Sequence, residues 1–542
     1  MYRLLLELVG IPSVSPSGDE ENRIAGFIYD RLSSHPWFCD HPDDLKLLPL
    51  GGDPYGRHLV FGLVRAPKET DRTIILTGHM DVVSTEACGT LRQWAFDPEE
   101  YTRRIGDTQI SDDARNDLNS GEWLFGRGVS DMKCGVAAGI TLLEEAASNP
   151  DSLEANLAVL YVPDEENNSA GMLSAAEYLA GFQKEAGLRY LAIVNTEPTF
   201  ATGETAEPTV YLGSIGKINP FFMVIGKETH VGEYYEGLCA APIVSHINTM
   251  LDGNPDYSDT LEGKKFPPFG CMRQTDLRRE YSATIMTRAM AFYSYLTSSK
   301  YPGQILEEMR EIAMEGQKRA IDQYERFAGQ FLESNGSTDH PKKWTPGVMT
   351  FADLQEKARS CFKGDFDAYV ESILRGSPSG ADERVKAITL AEALVDLCGL
   401  TPPLVIIGFL PPWYPHRVNT GATDGEKLMR DVARDLATET RKRFGKRMQV
   451  RPLFEGVSDL SYCGFQGGDN EIRAFADNMP GWGKMYPFPE KALLELDIPV
   501  MNLGPLGKDA HKNTERIHLP YSLNEFPQLL RKAVRKIAEE GK

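Results

Sequence analysis

No Cys-x-x-Cys pair occurs among the eight cysteines, which stand at 39, 88, 134, 239, 271, 361, 398 and 463. Such scatter argues against a zinc ribbon or a disulfide scaffold and suits free thiols in a reducing compartment. Long apolar runs are also missing: nothing approaches the roughly 20 residues of a membrane span. Basic charge is scarce. The 58 Lys and Arg are outnumbered by 78 Asp and Glu, for a net charge of −20, and that surplus argues against nucleic acid or an anionic membrane as partner. No Gly-x-Ser-x-Gly elbow appears, so a nucleophilic-serine hydrolase is disfavoured. There is no internal repeat and no low-complexity tract. The opening Met1–Val9 carries one Arg and one Glu in its short apolar run. It reads as an amphipathic helix and not a signal peptide, so a cytoplasmic location is expected. What is present is ordinary globular material: 542 residues, 41% hydrophobic and 25% charged, enough for about two to four domains.

The informative stretch is Thr77-Gly78-His79-Met80-Asp81, which ends the apolar run Thr73-Ile74-Ile75-Leu76. The run reads as a buried strand. On extended chain His79 and Asp81 point to the same side, so the imidazole can bind a metal while the carboxylate orients it. A structural histidine is the alternative. Helices are expected from Glu20 to Leu32, Val136 to Ala147 and Ala170 to Gln183, and further strands at 58–64, 156–162 and 191–194. The polar stretch Thr85 to Glu122 reads as a long loop. Gly126-x-Gly128 lacks the third glycine of a dinucleotide fingerprint, because Asp131 stands there. Asp131, at a strand-to-helix turn, is either a helix cap or a metal ligand.

The strand at 156–162 ends in Asp164-Glu165-Glu166, acids that repel one another unless solvated or shared by a cation. The strand at 191–194 ends in Asn195-Thr196-Glu197, and Val500–Pro505 leads into a loop carrying His511. Strand–helix alternation places these ends along one edge of a mostly parallel sheet, where ligands bind.

Taken together, Gly78-His79-Met80-Asp81, Gly126-Arg127-Gly128-Val129-Ser130-Asp131-Met132-Lys133, Asp164-Glu165-Glu166, Asn195-Thr196-Glu197, the His230 segment and the His511 loop resemble the M20 family of zinc-dependent peptidases and amidohydrolases. The length and the wording Tyr161 to Met172 further resemble its arginine-utilisation (RocB-type) branch. The resemblance implies an α/β fold: a mostly parallel-sheet catalytic domain of zinc-peptidase type, residues 1–213 and 416–542, with an inserted α+β lid/dimerisation domain at 214–415. It implies two divalent metals, Zn²⁺ or else Co²⁺ or Mn²⁺. Asp131 would bridge them, with His79 and Glu197 on one and Glu166 and His511 on the other. Asp81 would orient His79, and the Asp131–Met132 peptide would be cis. Glu165 would be the general base for the attacking water and return the proton to the leaving amine.

In the inserted domain His230 is the candidate for stabilising the oxyanion, often of the partner subunit's site. A surface-loop histidine is the alternative. Strands are expected at 220–226, 281–288 and 404–410, and helices from Ala241 to Met250 and Gln304 to Arg326, followed by a polar segment from Gly329 to Gly364. Arg288 would grip a substrate carboxylate or form a surface ion pair. Ser458, in Gly456-Val457-Ser458-Asp459, would lie beside the substrate or in a plain turn. The sequence departs from the family pattern at Cys239, where Asn is usual, and in an enlarged lid. The expected function is hydrolysis of an amide or peptide bond in a small amino-acid derivative or short peptide, with arginine utilisation as the context that the RocB-type resemblance implies, by a homodimer that uses neither nucleic acid nor membrane. An exopeptidase or dipeptidase with the same site is the enzymatic alternative, and a catalytically silent metal-binding sensor the other.

Overall fold

The apolar run ahead of His79 becomes the strand Arg72–His79, buried from Thr73 onward and lying inside an eight-stranded sheet. The computed structural model describes residues 1–200, 206–278, 280–377 and 381–541. It divides into two units, one of 1–215, 417–466 and 489–542, the other of 216–416 and 467–488.

In the first unit the sheet runs in the order Leu45–Pro49, His58–Val64, Asn156–Val162, Arg72–His79, Arg189–Asn195, Val500–Leu503, Thr209–Tyr211, Gln449–Arg451. Its middle four strands are mutually parallel, with His79 level with Val162 and Thr77 level with Asn195. Buried on both faces, these strands read as unbroken apolar runs. Their carboxyl ends therefore fall side by side. Helix Lys133–Ser148 packs on the sheet through Val136, Ile140 and Leu143, and helix Phe526–Glu540 contributes Leu529, Leu530 and Ile537 to the same core. Helix Gly18–Ser33 starts at Ser17, whose hydroxyl accepts from the Glu20 amide, with three acids in its first turn to suit the helix dipole.

The stretch 85–122, expected as a loop, instead folds into a 3₁₀ stretch Glu86–Trp94 and the helices Pro98–Ile105 and Asp112–Ser120, capped by Asp97 and Ser111. A small core of Leu91, Tyr101, Ile105, Ala114, Trp123 and Phe125 holds them. These helices are short and carry few apolar residues, so the stretch reads as polar.

The insertion leaves and re-enters through neighbouring chain: Gly213–Ser214 pairs antiparallel with Arg417–Val418. The second unit is an α+β structure on a five-stranded sheet ordered Gly270–Asp276, Arg288–Thr297, Gly216–Ile225, Leu404–Tyr414, Val348–Thr350, antiparallel but for the last pair. Helices Phe351–Cys361, Phe366–Arg375 and Glu383–Cys398 cover the face bearing Phe221, Met223 and Ile225. The helix expected at 304–326 extends over Pro302–Ser334, and the polar segment beyond it contains helix Phe351–Cys361. Segment 281–288 is not a strand. It makes only an isolated bridge, Thr284 with His230, while Arg278 donates to the carbonyls of Ser282, Thr284 and Ile285, and the strand begins only at Arg288. Residues 467–488, expected with the catalytic segment, group with this unit: Phe475 stacks on Phe409 and Trp413, and the Asn478 carbonyl accepts from the Phe409 amide.

Candidate metal centre

The parallel register brings three strand ends to a single cluster in the first unit, where the turn at Asp131 and the loop at His511 join them. His79, the last residue of its strand, is buried. Its Nε2 lies 3.0 Å from Asp131 Oδ1 and 3.3 Å from Glu197 Oε1, while Nδ1 lies 3.0 Å from the Asp81 carbonyl oxygen. With Nδ1–H donated to that carbonyl, Nε2 is left as a ligand atom. The Asp81 carboxylate, besides facing His79, holds the neighbouring turn. Its oxygens accept the Glu165 and Glu166 amides at 3.2 and 3.1 Å, and it is only 3.5 Å from His79 Nδ1.

Asp131 does not cap the helix that follows it, for the cap position is Met132 and no side chain fills the capping role. Its Oδ1 faces His79 and its Oδ2 faces His511 Nε2 at 3.2 Å. The Asp131–Met132 peptide is cis. His511 sits on the loop between the antiparallel strands Leu506–Lys508 and Arg516–His518, and its Nε2 is 3.0 Å from Glu166 Oε2. Glu197 follows strand Arg189–Asn195, and its backbone carbonyl accepts from the Asn502 side chain at 3.0 Å. Glu165 Oε2 stands 3.9 Å from His79 Nε2. The turn that carries Glu165 and Glu166 starts at Asp164 in left-handed conformation (φ 72°), tied to the buried Arg57 and Glu21.

Burial sets the electrostatics. It pushes Glu165 well above the usual carboxylate range, an effect that Glu197, Asp459 and Glu166 reinforce. It raises Glu197 to about 8, with Asp131 adding to the push, and it raises Glu166 as well. Asp131 goes the other way: burial is outweighed by hydrogen bonds from His511 and His79, which hold it low. His511 is raised to about 10 by its hydrogen bonds to Asp131 and Glu166. In His79, burial is overcome by Glu197, Asp131 and Asp81, and its pKa is raised well above the ordinary value.

Ligand atoms of His79, Glu165 and Glu197 lie within 4.8 Å of one another, as do those of His79, Asp131 and Glu166. Glu166 Oε1 is buried without a hydrogen-bond partner. Imidazole nitrogens, convergent carboxylates and an orphaned buried oxygen are what a divalent cation of borderline hardness needs, and the donor set fits one.

The chain matches the model of peptidase family M20/M25/M40 over residues 75–536. It belongs to peptidase family M20. Among relatives, the uncharacterized protein YqjN of Bacillus subtilis is 31% identical over 534 residues, 98% of this chain and 95% of that one. RocB of the same organism is 29% identical, covering 97% and 93%. A succinyl-diaminopimelate desuccinylase of Delftia acidovorans is 27% identical over 251 residues, 46% of this chain and 56% of that one. The crystal structure of an M20 family metallo-carboxypeptidase, Sso-CP2 from Sulfolobus solfataricus, shares the fold with TM-score 0.50 at 11% identity, covering 100% and 98%. The M20 chain is thus a hydrolase of the peptidase/amidohydrolase type with an α/β sheet domain and an α+β insertion. No helix among the described residues is long and apolar enough to cross a membrane.

The remaining candidates make contacts of their own. His230 is exposed in the second unit, and its Nδ1 accepts from the Gly232 amide at 3.1 Å. Arg288 pairs with Asp396 at 2.5 Å within that unit. Ser458 is buried and donates to Ser214 Oγ at 3.0 Å. Three residues absent from the sequence-based set belong to the centre. Asp459 is buried, has an Oδ1 without a partner and is raised to about 7, chiefly by burial. Arg127 and Glu515 form a buried ion pair beside Asp131. Their one sequence signal was position: charged residues inside a glycine turn and a ligand loop.

Proposed function

We propose that this M20 chain is a metal-dependent hydrolase that cleaves an amide or peptide bond in a small amino-acid derivative or short peptide. Its proposed ligands are His79, Asp131, Glu166, Glu197 and His511, and its general base is Glu165. The observation that carries the reading is the divergence of two adjacent acids. Their amides hang on one carboxylate, that of Asp81, yet Glu166 reaches His511 at 3.0 Å while Glu165 stops 3.9 Å short of His79. A protein that only binds a metal gains nothing from the second acid. A second carboxyl that is buried, shifted upward and set beside the proposed ligands suits proton transfer near neutral pH. Bound divalent cations, with Zn²⁺, Co²⁺ and Mn²⁺ all compatible with N/O donors, supply Lewis acidity for the amide carbonyl and the attacking water. Glu165 then takes the water's proton and delivers it to the departing amine. Asp81 keeps His79 and the Glu165–Glu166 backbone in place.

His230 is proposed as the oxyanion donor. Because Nδ1 accepts from Gly232, the neutral ring carries its proton on Nε2, the form able to donate. Arg288 is proposed to exchange Asp396 for a substrate carboxylate, Ser458 to face the substrate, and the inserted unit to act as lid and homodimer contact. Identity to RocB supports the narrower reading of a substrate from arginine utilisation. The test is metal content together with hydrolysis of a panel of N-acyl amino acids and dipeptides, before and after chelation. About two metals per chain and a chelator-sensitive amidase are expected. Less than one metal under replete conditions overturns the ligand set, and turnover confined to dipeptides moves the assignment to a dipeptidase.

A further inference from the structure

The centre is built from segments far apart in sequence, and one buried ion pair ties two of them together. Arg127 and Glu515 are each about 1% exposed. Glu515 Oε1 accepts the amides of Gly128, Ser130 and Asp131 at 2.8, 3.3 and 3.3 Å. Its other oxygen accepts from one arm of the Arg127 guanidinium. A second arm of Arg127 donates to the His511 carbonyl oxygen at 3.0 Å. The Gly126 amide donates to the Glu515 carbonyl at 3.1 Å, so side chains and backbone make the same junction.

Burying two charges costs several kcal/mol each, and a pair kept for stability alone can often be exchanged for apolar residues. Here the bonds go to the backbone of residues that present ligands. We infer that Arg127 and Glu515 are positioning residues that set the separation of the two halves of the metal centre: Glu515 fixes the turn presenting Asp131, and Arg127 fixes the loop presenting His511. The inference rests on the metal-centre reading above. It assigns unequal duties. Glu515 bears on Asp131, which faces both imidazoles, whereas the second arm of Arg127 bears on His511 alone.

Arg127→Lys separates these duties. A lysine ammonium keeps a cation beside Glu515, but it lacks the planar fork that reaches both the carboxylate and the His511 carbonyl. Metal-stripped protein is titrated with Co²⁺ against a competing chelator, and the d–d absorption is followed. The wild type is expected to show two binding events, one of them removed by His511→Ala. Arg127→Lys should weaken that same event about 10- to 100-fold, the usual effect of losing a partner that orients a ligand, and leave the other within about 3-fold. Glu515→Gln, whose amide cannot serve three N–H donors and a guanidinium, should weaken both. The thermal midpoint of metal-free Arg127→Lys should match the wild type. Unchanged affinities in Arg127→Lys overturn the inference. So does equal weakening of both events with a lowered metal-free midpoint, which is the signature of a packing element. If Arg127→Lys does not fold, Glu515→Gln with both events intact overturns it. A wild type with fewer than two events, or His511→Ala with both retained, instead removes the metal-centre reading on which the inference stands.

Discussion

Asp81→Asn is the perturbation that most directly tests how the centre is held. The carboxylate is fully buried and accepts two backbone amides, Glu165 at 3.2 Å and Glu166 at 3.1 Å. Asparagine has nearly the same shape but offers one oxygen and one NH₂. One amide keeps an acceptor that is now neutral, and the other meets a donor. A hydrogen bond to a charged group contributes about 1.5–3 kcal/mol and a neutral one about 0.5–1.5. Losing the first kind once and downgrading it once costs about 2–4 kcal/mol. Since about 1.4 kcal/mol is tenfold, the whole penalty expressed at the site would be roughly 30- to 1,000-fold, and relaxation of the 163–167 turn should absorb part of it. We expect metal affinity to fall about 10- to 100-fold by chelator competition. The kcat at saturating metal should also fall, because the backbone of Glu165 is released with that of Glu166. Wild-type affinity and wild-type kcat in a folded Asp81→Asn protein would refute the anchoring role. Lost affinity with full kcat at saturating metal would refute its reach to Glu165.

Glu165→Gln should retain two metals by elemental analysis while kcat falls about 10²- to 10⁴-fold, the usual share of a general base; a fall of less than about tenfold would assign the proton transfer elsewhere. Gly135→Ala would drive a methyl into the Thr196 carbonyl oxygen, one residue before Glu197. Such overpacking costs about 1–3 kcal/mol, so a lower thermal midpoint and weaker metal binding are expected together, and a normal midpoint would mean that the helix shifts freely. Cation binding should release protons near pH 7, because His511 (about 10) and Glu197 (about 8) hold theirs in the metal-free centre. Calorimetry in buffers of different ionisation enthalpy measures this, and proton uptake would contradict it. The sign for stability follows. Both pKa values are raised, so the metal-free protein keeps the benefit of these protons at low pH and loses it as pH climbs through about 8 and then 10, which pH-dependent melting of chelated protein should record.

Much of the centre was legible because strand-end chemistry survives folding with little ambiguity. An apolar run that stops at His79 or at Asn195-Thr196-Glu197 fixes both the strand and the place of its last side chain, and parallel pairing does the rest. Other features depend on tertiary choices that no local pattern encodes. Arg127 and Glu515 are 388 positions apart, so their pairing exists only once the hairpin bearing His511 closes on the Gly126–Asp131 turn. Segment 281–288 alternates well enough for a strand, but it makes only a single bridge, Thr284 with His230, and the side chain of Arg278 donates to its Thr284 and Ile285 carbonyls. At 467–488 the decisive contact is a stack of Phe475 on Phe409 and Trp413, which burial of aromatic area favours and sequence order hides.

We read the charge balance of the cluster as favouring the two cations proposed above over one. Asp131 turns its two oxygens toward different imidazoles, 3.0 Å to His79 and 3.2 Å to His511, and so divides the remaining acids into a Glu197 side and a Glu166 side. Unit charges of like sign about 4 Å apart repel by roughly 4 kcal/mol at an effective dielectric constant of 20. A single divalent ion beside His79 would relieve Glu197 and half of Asp131. It would leave Glu166, with its orphaned Oε1, still dependent on a protonated His511. That state holds at low pH and fails as His511 gives up its proton, at which point a second cation is the remaining source of positive charge. The centre should therefore fill in two steps whose second grows more favourable with pH, and the His511 side should be the one that protons contest.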